Sequence, residues 1–163
     1  MDVRRLRADE WERWREFRLA MLKEAPYAFG TTYAEASAFS DEQWRDRVDR
    51  LARSGDSILY VADDGGDWLG CAGGYTDEDT GLPNVFGVWT RPDARGRRIA
   101  ETLVRTVVAW AKDKGHTEVR LWATDGNDAA RRVYDRLGFL PNGATQPLPS
   151  DESKTESEYA LTI

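Results

Sequence analysis

The chain has 163 residues, 40% of them hydrophobic and 32% charged, with a formal net charge of −6. A chain of this length fits one domain, residues 1–163, that buries roughly 70% of the surface its unfolded form exposes, which excludes both a disordered tract and dependence on a stapling metal. The acidity weighs against nucleic-acid binding, which needs a dominant basic surface, and suits an amine-bearing partner.

Cys71 is the only cysteine, so no internal disulfide is expected. The first residues are polar, with no apolar signal region behind them, and the longest apolar runs, such as residues 107–111, are too short to span a bilayer. These features point to a cytoplasmic protein without a membrane partner.

Residues 3–6 read as a first strand. Asp9 offers a cap for a helix in which Trp11, Trp14, Phe17 and Met21 recur at helical spacing, and the helix should stop near Pro26. Residues 27–37 read as a loop. Ser40 then caps a second helix through Arg53, with Asp41 and Glu42 in its first turn and Gly55 after its end.

Residues 57–62 and 68–75 read as an antiparallel hairpin around a loop of about five residues. After an acidic turn, residues 85–90 form a fourth strand, which Pro92 ends. A third helix carries Ile99, Leu103, Val107 and Trp110 on one face and stops at Lys114 and Gly115. Residues 119–124 make a fifth strand, and Asn127 or Asp128 caps a fourth helix, with Ala130, Val133, Tyr134 and Leu137 on one face and Gly138 at its end. Residues 147–156 read as an acidic, proline-containing excursion before a last strand at residues 159–163.

Arg95, Gly96, Arg97, Arg98, Ile99 and Ala100 lie between a strand and a helix N-terminus, where free backbone N–H groups and the positive dipole end favour an anion such as phosphate. Gly96 permits close backbone approach, and the arginines can add charge-assisted contacts. A plain solvated turn fits the same composition. His116 has no partner at ligand spacing, so no metal site is expected, and Cys71 within an apolar run reads as a buried thiol.

The 95–100 segment resembles the coenzyme-binding signature of the GNAT superfamily of N-acetyltransferases, small bacterial type: Gln or Arg, two residues, Gly, one residue, then Gly or Ala. Arg95 and Ala100 match its ends, and Pro92, Asp93 and Ala94 precede it as in many members. Arg98 departs from it, standing where the family has its middle glycine. Asn127, Ala130, Tyr134, Gly138 and Phe139 are similar in spacing to the family's coenzyme-flanking helix, and residues 25–33 and 156–163 resemble further segments of small bacterial members.

The resemblance implies an α/β fold with a mixed, mostly antiparallel sheet of six or seven strands, about four helices, and a splay between strands four and five. It implies acetyl-coenzyme A as co-substrate, held by Val88, Trp89 and Thr90, by the 95–100 segment and by Asn127 and Tyr134. It implies direct acetyl transfer to an amine-bearing small molecule or peptide, with Tyr134 protonating the leaving thiolate. Helical spacing alone equally makes Tyr134 a core aromatic. Glu35, Asp77, Glu78 and Asp79 are candidate bases, of which Glu35 is preferred because its segment lies over the family's acceptor site. Family members often dimerise. The rival readings are a non-catalytic acyl-coenzyme A sensor of the same fold and an interaction module using the arginine patch.

Overall fold

Apolar side chains alternate along the strand segments and recur every third or fourth residue in the helices, and the computed structural model, which describes residues 1–163, sorts them onto the two faces of one sheet. The elements in chain order are β1 (Asp2–Arg5), α1 (Trp11–Glu24), α2 (Tyr33–Ser37), α3 (Asp41–Arg53), β2 (Ser57–Asp64), β3 (Asp67–Thr76), β4 (Pro83–Thr90), α4 (Ile99–Asp113), β5 (Glu118–Thr124), α5 (Asp128–Leu137), β6 (Leu140–Leu148) and β7 (Asp151–Thr162). The sheet runs β1-β2-β3-β4-β5-β7-β6, with β4 and β5 its parallel pair and every other neighbour antiparallel. No helix is long and apolar enough to cross a membrane.

On one face, Ile99, Leu103, Val104 and Val107 of α4 pack with Leu69, Ala72, Val85 and Leu121 of the sheet, joined by Tyr134 and Phe139. On the other, Trp14, Met21 and Leu22 of α1 and Trp44 and Val48 of α3 cover Leu59, Val61, Trp68, Cys71 and Trp89. Ser40 caps α3 as its position suggests: its Oγ accepts from the Gln43 N–H at 3.2 Å while Gln43 Oε1 accepts from the Ser40 N–H at 2.8 Å.

Three expectations of local structure change. The hairpin between β2 and β3 is tighter than a five-residue loop, because Gly65 and Gly66, at φ of 64° and 95°, complete a two-residue turn that non-glycine residues rarely adopt. The 27–37 segment is not all loop: Thr32 Oγ1 accepts from the Glu35 N–H at 3.1 Å and starts α2, giving five α-helices. The 147–156 excursion is instead the heart of a β6–β7 hairpin. Pro141 and Pro147 lie in β6, the outermost strand, where a missing N–H costs no inner ladder bond.

Gly70 of β3 fixes how closely β4 approaches. A Cβ there would stand 2.6 Å from the Trp89 carbonyl oxygen and 3.3 Å from Leu103 Cδ1. Gly70→Ala is therefore expected to lower unfolding free energy by about 1–3 kcal/mol, read as an earlier urea midpoint. An unshifted midpoint would show that β4 can retreat without loss.

Candidate active site

Strands β4 and β5 pair only at Asn84 with Arg120 and at Val85 with Leu121. The cause lies on β4's other side. Between the pairs Gly73–Phe86 and Cys71–Trp89, the single β3 residue Ala72 faces Gly87 and Val88, so β4 carries a bulge, with Gly87 at φ 62°. The Cys71 thiol donates to the Gly87 carbonyl at 3.3 Å and braces it. Beyond Val85 the two strands part, and a cleft of about 470 Å³ opens against the start of α4 and one face of α5.

Val88, Trp89 and Thr90 line this cleft together with Arg95, Gly96, Arg98, Ile99, Ala100, Asn127 and Tyr134. All were singled out from the sequence. Arg97 and Glu35 are not brought to it: both are exposed, Arg97 in the turn and Glu35 on α2. Asp77 is occupied by its own turn, where Oδ1 accepts from the N–H groups of Asp79 and Thr80 at 2.8 and 3.2 Å.

The turn into α4 is shaped by Gly96 at φ 85° and by Arg98, whose φ of 58° is the only positive value at a non-glycine residue. Arg98 occupies the helix N-cap with no side-chain cap bond, so the first N–H groups of α4 have no side-chain acceptor. Its side chain is 74% exposed and leans toward Glu101 at 3.8 Å, which keeps it out of the backbone's path.

Two carboxylates that sequence reading missed organise the charge. Glu24, at the end of α1, accepts from Trp89 Nε1 at 2.9 Å and from Arg95 Nη2 at 2.9 and 3.1 Å, while Arg95 Nε donates to the Thr90 carbonyl at 3.1 Å. The Arg95 side chain thus fastens the turn to α1 and β4. Glu101, 6% exposed, accepts from Arg105 at 2.8 Å and Arg136 at 3.3 Å, tying α4 to α5. Neither carboxylate stands in a motif; Arg105 is a helical neighbour of Glu101, but only the fold brings Arg136 to Glu101 and Trp89 and Arg95 to Glu24. Gly87 did carry a signal: an isolated glycine within an apolar strand marks a bulge.

Asn127 Oδ1 accepts from the Ala130 N–H at 3.3 Å and starts α5, which turns Ala130, Val133 and Tyr134 toward the cleft. Tyr134 is 7% exposed and packs edge-on against Phe139 at 6.0 Å between centroids, so it is a core aromatic and a cleft residue at once. Burial raises its phenol above the ordinary 10.0, keeping it protonated at neutral pH. On the same wall Thr90 Oγ1 is buried without a hydrogen-bond partner. An orphaned hydroxyl, an unpaired strand edge and an uncapped helix start fit a long polar ligand ending in phosphate.

The chain belongs to the acetyltransferase (GNAT) family, whose sequence profile matches residues 6–139. An acetyltransferase of the GNAT family from Streptococcus pneumoniae superposes over 99% of both chains, with a TM-score of 0.81 at 16% identity. A putative streptothricin acetyltransferase from Bacillus anthracis, solved in complex with acetyl coenzyme A, matches over 71% of this chain and 68% of that one, with a TM-score of 0.62 and 16% identity. At such identities the likeness is one of fold. Probable N-acetyltransferase family 8 member 5 of Mus musculus is 33% identical over 89 residues, which are 52% of this chain and 39% of the mouse protein. The chain spans less than half the length of the curated relatives it matches.

A left-handed non-glycine residue costs about 1–2 kcal/mol, part of which a glycine gives back through its freer unfolded chain. Arg98→Gly is therefore expected to raise unfolding free energy by about 1 kcal/mol, whereas Arg98→Ala keeps the strain and gains nothing; urea unfolding of both variants checks this. Alkaline pH acts most strongly through two fully buried acids, with the half-buried phenols of Tyr60 and Tyr75 raised in the same direction. Burial pushes the Cys71 thiol from 9.0 up to about 12 and raises Tyr134 above 10.0, so the folded chain binds both protons more tightly than the unfolded one. Stability is then full below the unfolded values and falls as pH rises toward the folded ones. Urea midpoints measured upward from pH 9.0 should fall, and less steeply in Tyr134→Phe.

Proposed function

We propose that the protein is an acetyl-coenzyme A-dependent N-acetyltransferase that moves an acetyl group to a primary amine by direct attack in a ternary complex, with Tyr134 as general acid. The observation that carries this reading is the cleft where β4 leaves β5, because it places an uncapped helix start, an unpaired strand edge and a buried phenol around one space. The streptothricin acetyltransferase, which shares the fold, was solved in complex with acetyl coenzyme A, and family membership supports the same co-substrate here.

Acetyl-coenzyme A supplies the activated acetyl group when bound. The first N–H groups of α4 and the turn at Gly96 take its pyrophosphate, with Arg98 adding charge from the rim. Unpaired backbone groups from Val88 to Thr90 take the pantetheine arm, and an N–H among them stabilises the negative charge that develops on the thioester oxygen. The Tyr134 hydroxyl gives its proton to the departing thiolate. An acceptor amine, with a reference pKa of about 10.4 if lysine-like, must first lose a proton. Water takes that proton, with Glu35 at the far end of the relay because Glu101 is held by arginines, and the second proton, left on nitrogen by attack, returns through water to the Tyr134 phenolate as the C–S bond breaks. Residues 1–163 work in this reading as a single cytoplasmic N-acetyltransferase domain that uses no metal.

Thiol release from acetyl-coenzyme A, followed across a panel of small amines and peptides, tests the reading. Amine-dependent turnover is expected; coenzyme binding with no thiol release from any amine would make the protein a sensor. Tyr134→Phe is expected to keep coenzyme binding while lowering kcat about 10²-fold at neutral pH. Unchanged turnover in a chemistry-limited assay would remove Tyr134 from the mechanism.

A further inference from the structure

Most inward-leaning arginines of this chain are fully engaged. Arg4 donates to Glu10 at 2.9 and 2.8 Å and to Asp63 at 3.0 Å. Arg5 donates to the carbonyls of Leu51, Ser54 and Ser57 at 2.7–3.1 Å, and Arg91 is forked between Asp67 and Asp93. Arg18 of α1 is different. Its guanidinium carries five donors, yet its hydrogen-bond-range partner is the Met21 thioether at 3.8 Å. A cation walled in by protein is ordinarily paired, because desolvation without a partner is costly.

Arg18 is partly enclosed on the α1 face of the sheet. The residue keeps part of its area exposed, while burial lowers its pKa below the ordinary guanidinium value and nearby Arg47 pushes the same way. Cys71, the acidic group beside it, is a neutral thiol at physiological pH and gives no counter-charge. The guanidinium carbon lies 5.2 Å from the centre of the Phe29 ring, and Nη1 stands 3.6 Å from where a Cβ on Gly87 would be.

That position lies one residue along β4 from the cleft wall. Gly87 is the bulge residue of β4 and adjoins Val88 on the cleft wall, so the two Cα atoms are ~3.8 Å apart. Phe29 closes the segment whose Ala25, Tyr27 and Ala28 line the cleft. The absence of a side chain at Gly87 leaves the guanidinium uncovered at the point where the bulge meets the α1 face of the sheet. The coenzyme's phosphate site lies elsewhere, at the start of α4.

We propose that Arg18 binds a carboxylate on the acceptor, so that the substrates of this protein are amines that also carry an acidic group, such as amino acids or short peptides with a free C-terminus. The inference rests on acetyl transfer being the reaction. A guanidinium binds a carboxylate through two parallel N–H···O contacts, fixing orientation as well as supplying affinity, and a planar fork beside the reacting strand would aim the amine at the thioester. Arg47, whose guanidinium carbon stacks 4.1 Å from the centre of the Phe39 ring, adds positive potential around Arg18 in an otherwise acidic protein.

The test sets amino acids and dipeptides against their carboxamides in the thiol-release assay, with wild type, Arg18→Met and Arg18→Lys. Wild type is expected to prefer the acids by ~30-fold or more in kcat/KM, as a site built for a charged group rejects the analogue that leaves it unpaired. Arg18→Met should collapse that ratio, mainly through a higher KM for the acids, and Arg18→Lys should restore part of it. Binding of coenzyme A by the same variants reports an intact fold. Equal rates for acids and amides in wild type, or an equal loss on both in Arg18→Met, would overturn the assignment of Arg18 while leaving acetyl transfer standing. Coenzyme binding without thiol release from any amine would instead overturn the acetyl-transfer reading and this inference with it.

Discussion

The early parting of β4 from β5 governs the architecture around it. Two parallel strands buried side by side would normally pair along their length, because their backbone groups have no other partners. Here the Gly87–Val88 bulge turns β4 away after Val85, and the Cys71 thiol on the Gly87 carbonyl helps hold the turn. The strand edge so freed lies over the start of α4 and the inner face of α5. Burial on both faces of the sheet keeps the gap from closing: α4 anchors one side through Leu103 and Val107, and Trp89 anchors β4 to α1 on the other.

Charge in this protein is set by placement more than by count. The chain is acidic overall, yet its cleft is rimmed by Arg95, Arg98 and Arg136. Glu24 and Glu101 make that arrangement rigid. The first joins α1, the end of β4 and the turn before α4; the second joins α4 to α5. Held in this way, the turn before α4 is tied to the helices and the strand around it. Arg18 stands apart as a guanidinium that the fold surrounds but does not pair.

Arg98 shows how a departure from a motif is absorbed. The backbone keeps the left-handed conformation that a glycine would take without strain, and the largely exposed side chain reaches toward Glu101 at the cleft rim. Tyr134 shows the converse: its helical spacing could not separate packing from chemistry, and in three dimensions it does the first against Phe139 while also lining the cleft.

Much of this was legible in the chain because it depends on neighbours in sequence. Helical periodicity, the caps at Ser40 and Asn127, the stop at Gly138 and the glycine-containing turn at residues 95–100 are local, set by side chains within a few residues of the backbone they satisfy. The β6–β7 hairpin was not, since its polar, proline-bearing strand acquires its state from pairing beside β7. The partners of Glu24 lie 65 and 71 residues away, and the proximity of Arg18 to Gly87 joins a helix to a strand across the core. Sequence alone therefore determined most of the elements, the family and the position of the turn into α4. Only the tertiary structure decided which carboxylates the arginines reach, that the partly enclosed Arg18 has none, and that Glu35 and Arg97 lie outside the cleft lining, because those outcomes depend on distances between elements that no local pattern encodes.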